Sequence, residues 1–482
     1  MGKYSAMQFA VRPAVVGRLL ANMYGILALL TIVPGLLAAL TGSVAAPAYG
    51  VVVLILGLLW LLARSLPDPE RVQKNEALVV VALLFTSSSL LLALPLMSYG
   101  IPFIDAWFEA VSGVTTTGLS TLQITDRPVA FLFGRAWMQW VGGIGVVVLA
   151  LALFVRPGVS ASRLGFSDRE MDDVVGGTRA HARRVIIIYL VITAVGITAL
   201  LVAGSSLIDA IVHCMAAIST GGFANYQSSL AGISAPQLWV INGLCLAGAV
   251  SFHLYYRSIL HTRREELLDN QLYALLVVLV LSTTLVWVVS RLVGLQASPQ
   301  DLITLTISAQ TTAGFSTMDL AALPPAVILV LCTFMAVGGG AGSTAGGIKL
   351  DRALLMLQVA YRTLLRSSVT EQVHVRGEKG VEASRVEEAV ALIFWFLLVV
   401  LLSWLVFLAC GYSPMHSLFE VISATATVGL SAGLTSADLP AALKALLCFN
   451  MLLGRLEIVA MLILFAPRSW FGRRRALHGR KH

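Results

Sequence analysis

Apolar residues run through this 482-residue chain in blocks of roughly twenty, separated by short polar breaks. A helix needs ~20 apolar residues to cross the ~30 Å hydrocarbon core of a bilayer, so the pattern predicts a bundle of transmembrane helices. From Leu19 to Ala63 no Asp, Glu, Lys or Arg interrupts 45 residues. That is too long for one span, and Thr41, Gly42, Ser43 and Pro47 supply turn chemistry at its middle. The segment is therefore predicted as a hairpin of two helices. Further apolar blocks cover about 77–98, 133–155, 185–204, 237–256, 271–292, 325–360, 388–411 and 440–466, which with the hairpin make ten predicted spans. Lys3, Arg12 and Arg18 ahead of the first block resemble the start of a signal peptide. No small-residue cleavage site with polar sequence beyond it follows, so the block counts as a span.

Composition sharpens this picture. Apolar residues make up 58% of the chain and charged residues 12%, with a mean hydropathy of +0.86. Soluble domains carry about 25% charged residues, so a water-soluble enzyme is excluded. Five cysteines lie singly in apolar stretches, without the spacing of a disulfide framework or a zinc site. His213, His253, His261 and His374 show no ligand spacing either. The net charge is +8, but its distribution is not that of a nucleic-acid binder. When the predicted loops alternate from an inside N-terminus, 28 of the 33 basic residues fall on one side, leaving Arg127, Arg135, Arg291, Lys444 and Arg455. Cytoplasmic loops are enriched in Lys and Arg, so both termini are expected inside, and the run Arg473–Arg475 reads as a topology signal touching lipid headgroups.

The connections on the other side share one pattern. They read DAWFEAVSGVTTTGLS from Asp105, DAIVHCMAAISTGGFA from Asp209, DLITLTISAQTTAGFS from Asp301 and HSLFEVISATATVGLS from His416. Aligned without gaps, each contains Thr, any residue, Gly, then Leu or Phe. The four tetrapeptides are Thr116, Thr117, Gly118, Leu119; Thr220, Gly221, Gly222, Phe223; Thr312, Ala313, Gly314, Phe315; and Thr427, Val428, Gly429, Leu430. The glycines lie 104, 92 and 115 residues apart, which points to one structural unit used four times. Irregular backbone at membrane depth must be buried in protein or line a watery cavity. Four such strands about one axis would offer rings of carbonyl oxygens able to replace the hydration shell of a monovalent cation, and glycine supplies the φ/ψ freedom this needs. In three repeats an Asp stands eleven residues before the motif's Thr, placed to cap a short helix. The fourth has His416 there, with Ser413 and Pro414 as an alternative start. Such helices would aim their partly negative C-terminal ends at the cavity and favour a cation.

On these four motifs the chain resembles the superfamily of potassium transporters comprising the Trk, Ktr and HKT proteins, over about Glu76–Pro467. The N-terminal hairpin makes it most similar to the TrkH or TrkG type. The resemblance implies an all-α polytopic membrane protein with four consecutive helix, pore loop, helix repeats around a pseudo-fourfold pore. The corresponding divisions are 1–75 for tail and hairpin, then repeats at 76–165, 166–265, 266–375 and 376–482. It implies that the four tetrapeptides line a potassium filter, comparable with the TVGYG loops of tetrameric channels. Leu or Phe replaces Tyr here, and Ser120, Ala224, Ser316 and Ser431 replace the last Gly, so looser discrimination among potassium, rubidium and sodium is expected. Glycine in all four repeats favours potassium over the sodium-selective subclass. The resemblance further implies a bacterial cytoplasmic (inner) membrane, a homodimer and a TrkA-like cytosolic ring of nucleotide-binding regulatory subunits. The loops Phe166–Arg184 and Ser367–Arg385 are natural docking surfaces for the latter. Potassium is the only ion expected, with no organic cofactor and no nucleic-acid partner.

Two other features bear on this expectation. The apolar stretch 325–360 is interrupted by Gly338, Gly339, Gly340, Gly342, Gly346 and Gly347, and each Gly costs roughly 1 kcal/mol relative to Ala in a helix. A loop or broken helix is predicted. GSTAGGIKL lacks the register of a phosphate-binding P-loop, which leaves a close-packing kink or, by resemblance, an intramembrane gating loop. Arg455 lies near the middle of the last predicted span, where a charge costs at least ~2.5–3.5 kcal/mol. It is expected either to pair with Glu109 or Glu420 or, by resemblance, to stand in the permeation path as a gate. Glu109 and Glu420 occupy equivalent positions in repeats one and four, where buttressing of the filter is the expected role. The competing function class is a proton- or sodium-coupled secondary cation transporter, which calls for coupling acids inside the spans. A membrane-embedded enzyme finds no nucleophile or metal constellation here.

Overall fold

A computed structural model describes residues 10–67, 69, 72–154, 174–255, 270–368 and 383–471. The Arg473–Arg475 run, His261, His374 and most of the two docking loops lie outside the described residues. All regular structure among the described residues is helical, apart from an isolated parallel bridge between Val337 and Ile348. In chain order the helices are α1 (Pro13–Leu40), α2 (Ala46–Ala63), α3 (Lys74–Met97), α4 (Phe103–Val114), α5 (Val129–Phe154), α6 (Val174–Val202), α7 (Leu207–Ile218) and α8 (Ala235–Ala249). They continue as α9 (Asn270–Leu292), α10 (Pro299–Gln310), α11 (Pro325–Ala336), α12 (Leu350–Ser368), α13 (Ala383–Ala409), α14 (Pro414–Thr425), α15 (Ala441–Arg455), α16 (Val459–Phe465) and α17 (Pro467–Trp470).

Helix is the expected solution for apolar chain, because it satisfies every backbone polar group within the segment. The hairpin turns at Thr41–Ala45, where Gly42 takes φ +63°. Pro13 opens α1 at a position whose N–H has no intrahelical partner in any case. Arg12, just before it, donates to Glu76 in the first turn of α3 at 2.6 Å through Nε and 2.9 Å through Nη2. That hydrogen bond raises the guanidinium pKa and fixes the hairpin against the rest of the fold.

Two classes of helix emerge. Long ones carry exposed apolar side chains such as Leu29, Leu62, Val195, Val280 and Leu402 on their outer faces, the surface a bilayer would cover. Four helices of 12 residues each, α4, α7, α10 and α14, lie inside, with almost every residue after their first turn buried. The largest apolar cluster, including Phe108, Phe131, Phe407 and Phe419, surrounds α4, α10 and α14, while α7 packs in a second cluster through Ala210, Cys214 and Ala217.

Among the described residues, six helices are long and apolar enough to cross a membrane, or seven if the bent pair Ala441–Arg455 and Val459–Phe465 is one span. The predicted block 237–256 contracts to the 15-residue α8, and 325–360 divides into α11 and α12 around a non-helical segment. The last predicted span, 440–466, is not continuous. It turns by 113° between α15 and α16, where Glu457 and Ile458 both take left-handed φ values of +52° and +61°. Arg455 therefore ends a helix rather than sitting at its centre.

Candidate functional site

The four short helices end alike. In α4 the N–H of Thr116 donates to Gly113 O at 3.0 Å and that of Thr117 to Ser112 O at 2.9 Å, the paired bonds of a Schellman C-terminus. The same two bonds recur at Thr220 and Gly221, at Thr312 and Ala313, and at Thr427 and Val428. Glycine is the usual residue at the left-handed position of this motif, yet all four carry Thr, with φ between +50° and +56°. Left-handed φ costs ~1–2 kcal/mol for an L-residue, so four such threonines cost on the order of 4–8 kcal/mol. The hydroxyls of Thr116 and Thr427 are buried without a protein partner, while Thr312 Oγ1 accepts from Gly346 N at 2.7 Å.

Beyond each Thr the chain runs as a short non-helical strand without β pairing, and the four strands interlock. A Cβ added to Gly118 would overlap the carbonyl oxygen of Gly221; one on Gly222 would overlap that of Ala313. One on Gly314 would overlap that of Val428, and one on Gly429 that of Thr117. Each glycine thus rests on the carbonyl of the next repeat, and the fourth returns to the first, closing a ring. All four glycines have φ between +77° and +95°, so the close approach and the backbone conformation both demand Gly.

Leu119, Phe223, Phe315 and Leu430 point away into the protein, each at most 2% exposed. Behind them Glu109 accepts from Ser120 Oγ at 2.7 Å and pairs with Arg135. Glu420 accepts from Ser431 Oγ and Thr435 Oγ1, each at 2.6 Å. Both acids therefore brace the chain just past the glycine. The helix-capping expectation for the acids needs correction. Asp209 and Asp301 are third residues of their helices, and the serines before them, Ser206 and Ser298, take the N-cap role. Asp105, Asp209 and Asp301 instead accept from Thr121, Asn225 and Thr317, tying each helix start to the chain beyond its strand. Lys444 completes a buried pair with Asp105 at 2.6 Å.

Under the inner end of the ring lies the glycine-rich segment between α11 and α12. Thr344 Oγ1 donates at 2.9 Å towards both Ile218 O and Gly248 O, and Gly340 N donates to Ala249 O at 3.0 Å. Gly338 packs against Gly346 O, and Gly346 lies so close to Thr427 Oγ1 and Ala426 O that a Cβ at either glycine would overlap these atoms. Gly339 faces Ala249 O, Gly342 and Gly347 take positive φ, and Lys349 Nζ donates to Ala345 O. Arg455 reaches the same place. Its Nη1 donates to Thr344 O at 2.7 Å and its Nη2 to Gly142 O at 3.3 Å, while Nε has no partner. It pairs with neither Glu109, which belongs to Arg135, nor Glu420, which is satisfied by hydroxyls and a backbone N–H. Arg352 and Glu457 form a separate pair at 2.7 Å beside the bend.

Sequence reasoning missed Arg135 and Gln139, two buried polar residues of α5 that touch the second strand. Their signal was present, since polar residues four apart in an apolar block share one helix face.

The TrkH family, described as cation transport protein, matches residues 43–471. The Trk system potassium uptake protein TrkI of Halomonas elongata is 31% identical over 94% of this chain and 96% of its own. TrkH of Escherichia coli K12, also a Trk system potassium uptake protein, is 29% identical over 96% of this chain and all of its own. The crystal structure of the potassium transporter TrkH from Vibrio parahaemolyticus superposes with a TM-score of 0.82, at 25% identity, over 95% of this chain and all of that one.

Proposed function

The chain belongs to the TrkH family of cation transport proteins, a multi-pass membrane family, and from that premise we propose that it takes up potassium through the ring of four strands. The observation that carries this is the closed cycle in which each motif glycine seats on the next repeat's carbonyl. It makes a fourfold set of oxygens from one chain. Carbonyl rings replace an ion's hydration shell, and the four helix C-termini behind them favour positive charge. Filter residues are the four tetrapeptides beginning at Thr116, Thr220, Thr312 and Thr427, and the unpartnered hydroxyls of Thr116 and Thr427 face the entering or leaving ion.

The segment from Gly338 to Gly347 and Arg455 act as the gate. Packed under the filter, the loop blocks the path, and the guanidinium repels cations from a buried position. On this reading the chain has ten spans, two in the hairpin division 1–75 and eight in four repeats at 76–165, 166–265, 266–375 and 376–482. Both termini are cytoplasmic, the membrane is the bacterial inner membrane, and the chain works as a homodimer with a TrkA-like nucleotide-binding partner. A proton-coupled mechanism is not favoured by the acids described near the path, since Glu109, Glu420 and Asp105 are already occupied by fixed partners.

The test is rubidium uptake into liposomes holding only this protein, driven by a potassium gradient. Uptake that potassium suppresses far better than sodium supports a potassium filter. Strict dependence on a proton or sodium gradient would replace it with the coupled transporter.

A further inference from the structure

The geometry of α5 assigns Gln139 a role: we propose that it is the positioning residue of the second filter strand, supplying from outside what that strand's own repeat lacks. The inference rests on the filter reading above.

Two positions distinguish repeat two. Seven residues after the aligned Asp or His stand Ser112, Ala216, Ser308 and Ser423. Ser112 Oγ accepts from Gly118 N at 3.0 Å and Ser423 Oγ from Gly429 N at 3.1 Å, so these serines brace the filter glycine from within the repeat. In repeat two Ala216 has no hydroxyl to do this, and in repeat three Ser308 Oγ has no protein partner, so the brace is missing there as well. The residue between Thr and Gly is Thr117, Gly221, Ala313 or Val428, so repeat two also lacks any side chain there. Gln139 fills the side-chain gap and holds the strand through the groups on either side of Gly222 rather than through the glycine's own N–H. Its carboxamide is wholly buried and occupies the space where a Gly221 Cβ would stand, within 2.4–2.8 Å of that ideal position. Its Nε2 donates to Gly221 O, and its Oε1 accepts from Phe223 N at 3.1 Å. One amide therefore spans Gly222. The reverse orientation would set donor against donor and acceptor against acceptor, so the contacts define which way the amide points.

The carbonyl it holds is the one against which Gly118 of repeat one is seated, a member of the proposed ion-binding ring. A donor on Gly221 O fixes the direction of that carbonyl and draws on the lone pairs it offers the ion. Selectivity depends on the number and field strength of such dipoles, so Gln139 acts on discrimination through Gly221. Arg135, one turn earlier on α5, holds the same strand further along, donating to Ala224 O at 3.3 Å with its guanidinium 3.9 Å from the centre of the Phe223 ring.

The experiment uses the full-length protein in liposomes and measures both rubidium uptake and the ratio of potassium to sodium needed to suppress it. Gln139→Leu keeps the bulk and removes both bonds. It is expected to lower the ratio about fivefold, the change that ~1 kcal/mol for one neutral hydrogen bond gives, with insertion into the membrane unchanged. Gly221→Ala is expected to lose uptake because its methyl meets the Gln139 amide. Adding Gln139→Ala should restore uptake, since Ala313 already occupies that place in repeat three, while the ratio stays lowered. A Gln139→Leu protein with the wild-type ratio overturns the proposal. So does a Gly221→Ala single variant that behaves as wild type, and this pair decides the matter if Gln139→Leu does not reach the membrane. Should wild-type protein itself show no preference for potassium, the filter reading fails instead.

Discussion

Replacing Arg455 with Gln keeps much of the side chain's length while removing its charge and its forked donors. The 2.7 Å bond from Nη1 to Thr344 O joins the end of α15 to the glycine-rich loop against the ring, and the 3.3 Å contact to Gly142 O is at the weak end of the range. One bond from a charged donor contributes ~1.5–3 kcal/mol. If it forms only while the loop is seated, its loss shifts the balance of seated and displaced loop by about 10–150-fold. Loss of the buried cation lowers the barrier further, so the estimate is a floor. Rubidium uptake per inserted molecule should therefore rise at least ~10-fold in Arg455→Gln. Arg455→Lys separates the two contributions: it retains the charge as a compact ammonium without the planar fork. A slow Lys variant beside a fast Gln variant assigns the barrier to charge, and two fast variants assign it to the latch. Wild-type uptake in both Arg455→Gln and Arg455→Ala, with normal insertion, refutes the gate.

Three further outcomes follow from the same geometry. Thr344→Val is nearly isosteric but removes the donor to Ile218 O and Gly248 O, so uptake should rise by several-fold, ~1 kcal/mol for a bond of this kind; uptake unchanged in flux assays would show the loop is held elsewhere. Glu109→Gln leaves the Arg135 charge buried and unpaired at 2% exposure, a loss of about 3–5 kcal/mol, read as a lowered melting midpoint in detergent, with Glu109→Gln/Arg135→Met recovering much of it. Gly314→Ala places a methyl on Val428 O at a φ of +77°, and uptake should fall to background while size-exclusion behaviour is kept; a conducting variant would contradict the ring.

Much of this architecture was visible in the chain because its physics is local. Blocks of apolar residues mark helices whether or not their neighbours are known, and the turn at Gly42 and the break at Gly338–Gly347 follow from glycine's own backbone preferences. The four glycines of the ring were legible for the same reason, repeated four times. The left-handed threonines were not, since a β-branched residue argues against that conformation and only the Schellman bonds and surrounding packing hold it. The bend after Arg455 was hidden too. Leu456, Glu457 and Ile458 include no Gly or Pro, and what sustains the turn is distant in sequence: Thr344 on Arg455 and Arg352 on Glu457. Arg135 and Gln139 were obscured by hydropathy, which averages two polar residues into an apolar block and cannot reveal that the carbonyls they hold on the second strand lie 82–89 residues away.

The ring in which each glycine seats on the following repeat's carbonyl has a genetic side. A channel assembled from four identical subunits meets every substitution in quadruplicate, so any variation must suit all quarters at once. Here one reading frame writes the quarters separately, and a mutation alters one of them while three stay as they were. Thr117, Gly221, Ala313 and Val428 occupy a single position of the ring with four different residues, a divergence that no symmetric assembly of one gene product can accumulate. Drift at one quarter, followed by a matching change on a neighbouring helix, is a route by which such a protein can retune its ring in small inherited steps.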